Sequence, residues 1–192
     1  MPMSKFERLF VNRESKGRRN IAKLGESLNL ESIHDVLEIG SGIGTVSAFL
    51  SKTYDMNVVG TDFDPKQIAL ARERYPEESR LRFAVEDATD LSFPNESFDL
   101  VVAHNVFHHL SKWEDAFGEV RRVLRPGGLL DWLDLEFSSP VRQLLDSLTS
   151  SESFFSLQEV REVLTHVGFV ERYHEKTPLI LLTQHHLALE RL

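Results

Sequence analysis

The amino-acid sequence predicts an α/β fold, a mostly parallel β-sheet covered by helices on both faces. Two observations carry this prediction. From Val36 onward, short apolar runs of the kind that form buried strands alternate with amphipathic stretches at helical spacing. In addition, the 192 residues are 41% hydrophobic and 27% charged, enough apolar material for one core and too much for a disordered chain. No internal repeat, low-complexity tract or Gly/Ser linker divides the sequence, so 1–192 reads as a single domain.

Taken in order, the first element is helical: Ile21, Leu24 and Leu28 recur near the helical period. Within the N-terminal segment 1–30, residues 16–28 therefore predict a short helix over the sheet edge or the mouth of a site. "VLEI" (36–39), "VVGT" (58–61), "LRFAV" (81–85), "FDLVVA" (98–103) and "LLDWLDL" (129–135) are strands, with two further strands at 169–175 and from Leu179 onward. Between them, 45–52, 65–75, 112–124 and 157–166 are helices. Pro65 suits a first helical turn, and Asp64 before it can cap exposed amides. Trp113, Ala116, Phe117, Val120 and Leu124 form one apolar face, after which "RPGG" (125–128) stops the helix. Residues 136–156 are weakly patterned, with Val141, Leu144, Leu145 and Leu148 at helical spacing, and are expected to form a short cap.

Charge and composition exclude several classes of function. With 22 Lys+Arg against 30 Asp+Glu, the net charge of −8 opposes general nucleic-acid binding. Residues 5–23 run the other way: seven basic side chains against Glu7 and Glu14 give 7 − 2 = +5. That segment reads as a solvated helix face, or as a patch that meets an anionic acceptor or acidic groups across a lid. The absence of Cys removes disulfides, thiolate zinc sites and cysteine nucleophiles. No run approaches the ~18–20 apolar residues of a membrane span, and Met1–Phe10 lacks the apolar core of a secretory signal. A cytoplasmic protein without membrane attachment is expected.

The most informative stretch is "VLEIGSGIGTVSAFL" (36–50), a buried strand, three glycines (Gly40, Gly42, Gly44) and a helix. Glycines at this junction allow a sharp turn and close approach of a ligand to the main chain. Twenty-two residues after Gly40, Asp62 ends the second strand, where a carboxylate can hold both hydroxyls of a ribose; Asp64 competes for that role. Dinucleotide binding wants G-x-G-x-x-G/A, but here the third glycine comes one position early and Thr45 stands at the last position. Glu38, two residues before the loop, suits a cation better than a phosphate. A ligand with ammonium and sulfonium charge, S-adenosylmethionine, fits this set.

With "LEIGSGIG", "VVGTDFDP", "VEDATDLSFPNESFDLVVAHNVFHHL" and "EVRRVLRPGGLL" in this order, the sequence resembles the class I S-adenosylmethionine-dependent methyltransferases, in particular the ubiquinone/menaquinone methyltransferase-like branch, over roughly 36–170. The resemblance implies a Rossmann-like seven-stranded sheet with the last strand antiparallel. It also implies site roles. Glu38, Gly40, Ser41 and Gly42, with Gly44 closing the loop, would surround the methionine and ribose parts of the cofactor. Asp62 would hold the ribose and Phe63 would pack on the adenine. Asp87 would accept from the adenine amino group beside Ala88, with Glu86 and Asp90 as its competitors. Asn105 would lie near the methionine tail and the acceptor.

Methyl transfer from such a cofactor asks the protein mainly to align an acceptor, so no fixed triad is expected. His108 and His109 are the candidates for a general base where the acceptor is a poor nucleophile; in the family such a pair is also a packing and turn element. His104 and His108 stand four apart, but no third ligand is visible and no metal is expected. His185 and His186 read as structural or surface residues. "HNVFHH" departs from the D/N-P-P-Y/F step of the amino-methyltransferases of adenine and glutamine, so the expected acceptor is a small or medium organic molecule. A cofactor-binding protein without transferase activity, regulatory or scaffolding, would share the same pocket. The short cap also leaves room for a site completed by a second subunit.

Overall fold

A computed structural model describes residues 30–76, 79–138, 141–142 and 154–192. The helix expected at 16–28, its basic segment, and Leu144, Leu145 and Leu148 of the expected cap lie outside these residues. Seven strands, β1 (Asp35–Ile39), β2 (Asn57–Asp62), β3 (Leu81–Val85), β4 (Phe98–His104), β5 (Leu124–Phe137), β6 (Phe169–Pro178) and β7 (Leu182–Arg191), form one sheet in the order β3-β2-β1-β4-β5-β7-β6. The pairs among β1 to β5 are parallel, while β7 runs antiparallel to both β5 and β6. The last strand is thus inserted between its neighbours.

Four helices cover the sheet: α1 (Thr45–Tyr54), α2 (Pro65–Arg74), α3 (Trp113–Val123) and α4 (Leu157–His166). Strand alternation sorts the core into two layers. Val36, Val58, Leu100, Val102 and Phe83 pack with Leu50 of α1 and Ile68 of α2 on one face. Leu37, Ile39, Val101, Ala103 and Trp132 pack with α3 and α4 on the other. All four of Trp113, Ala116, Phe117 and Val120 are buried, as their spacing predicts. Trp132 lies at the centre of this second layer, with the rings of Phe107, Phe117 and Phe155 at centroid distances of 6.4, 6.2 and 5.9 Å.

Besides the turn between β6 and β7, which falls at 179–181 rather than 176–178, two boundaries differ from expectation. "RPGG" ends α3 but does not separate it from the next strand: Leu124 already pairs with Phe98, and Leu129 pairs with Leu100, so 125–128 bulge out within β5. The bulge carries Arg125, which bridges Asp99 at 2.6 Å and Asp35 at 3.0 Å and ties three strands together. At the other end, Glu136 and Phe137 belong to β5, paired with Thr183 and Leu182, rather than to a cap. Phe155, also expected in the cap, is buried against Trp113 and Trp132. Strand pairing draws one end of that segment into the sheet, and apolar burial draws the other into the core. Among the described residues, no helix is long and apolar enough to cross a membrane.

Candidate cofactor and acceptor site

The chain steps outward from β1 to β2 and β3, then returns to β4 on the other side of β1. This switch opens a crevice at the carboxyl ends of the strands, where open α/β sheets bind ligands. The loop after β1 fills it. Ser41 N donates to Thr61 O at 2.8 Å and Gly44 N to Ser41 O at 3.0 Å, so the loop is pinned to β2 before α1 begins. Gly40, Gly42 and Gly44 all have positive φ, at 72°, 54° and 79°. At two of them the missing side chain makes room for protein rather than ligand. A Cβ on Gly40 would stand 2.7 Å from Val106 Cγ2, and one on Gly44 would stand 2.5 Å from the Phe83 ring.

Every residue expected around the cofactor lies at this edge. Asp62 receives Gly42 N on Oδ2 and Asp64 N on Oδ1, both at 2.9 Å, so its carboxylate is fixed at the loop and keeps lone pairs for further donors. Asp64 is the helix cap its position suggests, accepting from Lys66 N at 2.9 Å. Phe63 is 74% exposed, unusual for a phenylalanine and suited to an aromatic ring laid upon it. Glu86 N bonds to Asp62 O at 3.2 Å and brings the next loop alongside. In that loop Glu86 is committed to Ser92, while Asp87 accepts from Thr89 through Oδ1. Asp87 is exposed beside the buried Ala88.

Glu38 ends up buried on the α1 side, accepting from Ser47 Oγ. Burial is the strongest influence on it and pushes its carboxyl above the ordinary range, against the Ser47 hydroxyl and the charge of His104. Ser41 Oγ is buried with no hydrogen-bond partner among the described residues. An unmet hydroxyl, a buried carboxylate and the Asp62 carboxylate with lone pairs to spare, gathered around one loop, suit a ligand with a cationic end and a hydroxyl-bearing end. Asn105, at φ 54°, sits just past β4; its N donates to Leu133 O at 2.6 Å and its Oδ1 accepts from Gln184 Nε2 at 3.3 Å.

His104 and His108 do not converge; they go to different carboxylates of β5. His104 Nε2 meets Asp131 Oδ2 at 2.9 Å, and His186 meets the other oxygen of Asp131. His108 Nδ1 meets Asp134 Oδ1 at 2.5 Å. Asp134 also accepts from the backbone amides of Phe107 and Leu135, at 2.9 and 2.8 Å, so its orientation is fixed from three sides. His109 is exposed, its ring 4.0 Å from that of His108. His185 and His186, expected to be structural or surface residues, are both buried. Asp131 and Asp134 lie outside the residues expected at the site, although two acids inside the apolar run "LLDWLDL" demand buried partners.

Residues 37–130 match a family model described as a methyltransferase domain. A 2-methyl-6-phytyl-1,4-hydroquinone methyltransferase of Synechocystis is 39% identical over 71% of this chain and 46% of its own length. Methyltransferase GfsG of Streptomyces halstedii is 32% identical over 86% of this chain and 60% of its own length. The chain therefore spans about half the length of these curated relatives. In fold it resembles a phosphoethanolamine N-methyltransferase 2 of Haemonchus contortus, solved with S-adenosylhomocysteine, at a TM-score of 0.78 and 18% identity over 91% of this chain and 52% of that one.

Proposed function

We propose that the chain, as a class I S-adenosylmethionine-dependent methyltransferase, methylates a small or medium organic acceptor, a hydroquinone or other phenol being the first to test. The observation that carries the proposal is the gathering of Glu38, the glycine loop, Asp62 with Phe63, and Asn105 at one sheet edge beside a histidine–aspartate pair. Glu38 and Ser41 would face the methionine end of the cofactor, Asp62 the ribose, Phe63 and Ala88 the adenine ring, and Asp87 its amino group. When bound, S-adenosylmethionine supplies an electrophilic methyl carbon on a sulfonium. The protein's task is then to hold the acceptor in line at an attack distance of about 3–3.5 Å.

For a phenolic acceptor the hydroxyl proton must leave as the oxygen is methylated. With Nδ1–H donated to Asp134, the basic nitrogen of His108 is Nε2, and that atom takes the proton. Asp134, fixed by two amides, holds the ring's tautomer and stabilises the imidazolium that forms. His109, whose ring lies 4.0 Å from that of His108, is the second candidate base. The test is transfer of a labelled methyl group from S-adenosylmethionine to a panel of hydroquinones, simple phenols and small amines. Labelled hydroquinone or phenol products support the proposal. Silence across the panel, despite tight cofactor binding, supports a non-catalytic cofactor-binding protein instead.

A further inference from the structure

Three side chains from adjacent strands meet on the face of the sheet that carries α1 and α2. Asp131 of β5 is fully buried. His104 of β4 and His186 of β7 stand opposite Leu133, one on each side, so both present Nε2 to the same carboxylate, at 2.9 Å and 2.5 Å. Their donor atoms lie within 4.8 Å of one another, and two imidazoles with a carboxylate are a set that suits a transition-metal ion. The tautomer argues otherwise. His186 Nδ1 is buried without a hydrogen-bond partner among the described residues. A metal on Nε2 would move the ring proton to Nδ1, where nothing receives it, whereas a hydrogen-bonded cluster keeps that proton on Nε2 facing Asp131.

A doubly hydrogen-bonded, buried Asp131 is an anion, and His104 is its counter-charge. Burial works against charge on His104, but Asp131, then Glu38 and Asp134, outweigh it and hold the imidazole above its ordinary range. The next group along the same face is Glu38: it stands opposite Val102 of β4, two residues before His104. Other groups also bear on the cluster. Asp62 acts on Glu38, Ser47 donates to it, and the Tyr173 ring lies 5.7 Å from that of His186.

We infer that His104 is a positioning residue for the cofactor: held by Asp131, which His186 holds in turn, its imidazolium keeps the buried Glu38 carboxylate ionised for the cofactor's ammonium group. The inference rests on the role given to Glu38 above. It also gives the chain a compensating device. As pH falls and burial would let Glu38 take up a proton, His104 is the charged neighbour that opposes it.

The test is calorimetric titration with S-adenosylhomocysteine at pH 6, 7 and 8, using the full chain and the variants His104→Gln, Asp131→Asn, Glu38→Gln and His104→Gln/Glu38→Gln. The wild-type Kd is expected to change by less than about threefold across this range. His104→Gln and Asp131→Asn should bind at least about threefold more weakly at pH 6 and approach wild type at pH 8, because Glu38 without its counter-charge takes up a proton as pH falls. Glu38→Gln should be weak at every pH, and the double variant no weaker. A loss in His104→Gln that is equal at all pH values, or that adds fully to Glu38→Gln, overturns the inference by assigning the cluster a structural role. Imidazole carbon resonances of the labelled wild-type protein give a second readout without mutation: a neutral His104 at pH 6 also overturns it. If wild-type protein fails to bind S-adenosylhomocysteine at all, the cofactor reading itself fails; binding without coupling defeats this inference alone.

Discussion

Gly44→Ala separates the two reasons a glycine can be needed at a ligand-binding loop. The new Cβ would stand 2.5 Å from both Cε1 and Cζ of Phe83 and 3.2 Å from Ala71 Cβ. Phe83 is 2% exposed in β3 and Ala71 is fully buried in α2, so neither can yield cheaply. Forcing an alanine to φ 79° costs a further ~1–2 kcal/mol, and overpacking a core typically costs ~1–3 kcal/mol. Together these give a loss of about 3 kcal/mol, or a fall in Tm of about 6–12 °C for a domain of this size. The assay is thermal and urea unfolding followed by circular dichroism and by fluorescence of Trp113 and Trp132. Phe83→Leu removes the ring atoms that clash, so the double variant should recover about 1 kcal/mol relative to additivity. A Gly44→Ala protein that melts within about 2 °C of wild type yet no longer binds cofactor would refute this reasoning, because the space at Gly44 would then belong to the ligand.

Four further outcomes follow from the geometry. Asp62→Ala should weaken S-adenosylhomocysteine binding by about 1.5–3 kcal/mol through lost charge-assisted hydrogen bonds, while Asp64→Ala should cost only about 1 kcal/mol of stability as a lost helix cap; titration and melting curves read the two separately. Asp134→Asn should lower kcat toward a phenolic acceptor by about 10²–10⁴-fold while leaving cofactor affinity within about twofold, as measured by steady-state kinetics and titration. Phe155→Ala should destabilise by about 3–5 kcal/mol, which urea unfolding will show, since the ring is buried against Trp113 and Trp132. Although burial pushes the Asp99 carboxyl up, the amides of Asp35 and His34 and the Arg125 guanidinium outweigh it and hold it below its ordinary range. Its contribution is therefore present above the unfolded-state value and is lost as pH falls through the folded one, so Asp99→Asn should be less stable than wild type at pH 7 and equal to it in strong acid.

Much of this was legible because it is local. β3 spans 81–85 and α4 spans 157–166, as their apolar runs and flanking turns predict, and Asp64 caps α2 as a residue before proline should. The errors come where a local signal competes with a distant one. Pro126 and the two glycines after it signal a stop, yet Arg125 is held by Asp35 and Asp99, 90 and 26 residues earlier, and the strand continues through the bulge. Glu136 and Phe137 look too mixed for a strand until Thr183 and Leu182 pair with them. The histidine partners of Asp131 and Asp134 lie 26 to 55 residues away, and only the order β4-β5-β7 reveals them. The glycine loop lies between β1 and α1 as its sequence predicts, but the space at Gly40 and Gly44 answers to Val106 and Phe83, contacts that no spacing rule contains.

The central claim is that the loop from Glu38 to Thr45, with Asp62 and Phe63, holds a cationic adenosine derivative rather than a dinucleotide. Calorimetric titration of the full chain with S-adenosylhomocysteine and, separately, with NAD tests it most directly. The account predicts micromolar binding of the first, lost in Asp62→Ala, and no heat from the second; saturable NAD binding with silence toward S-adenosylhomocysteine would contradict it.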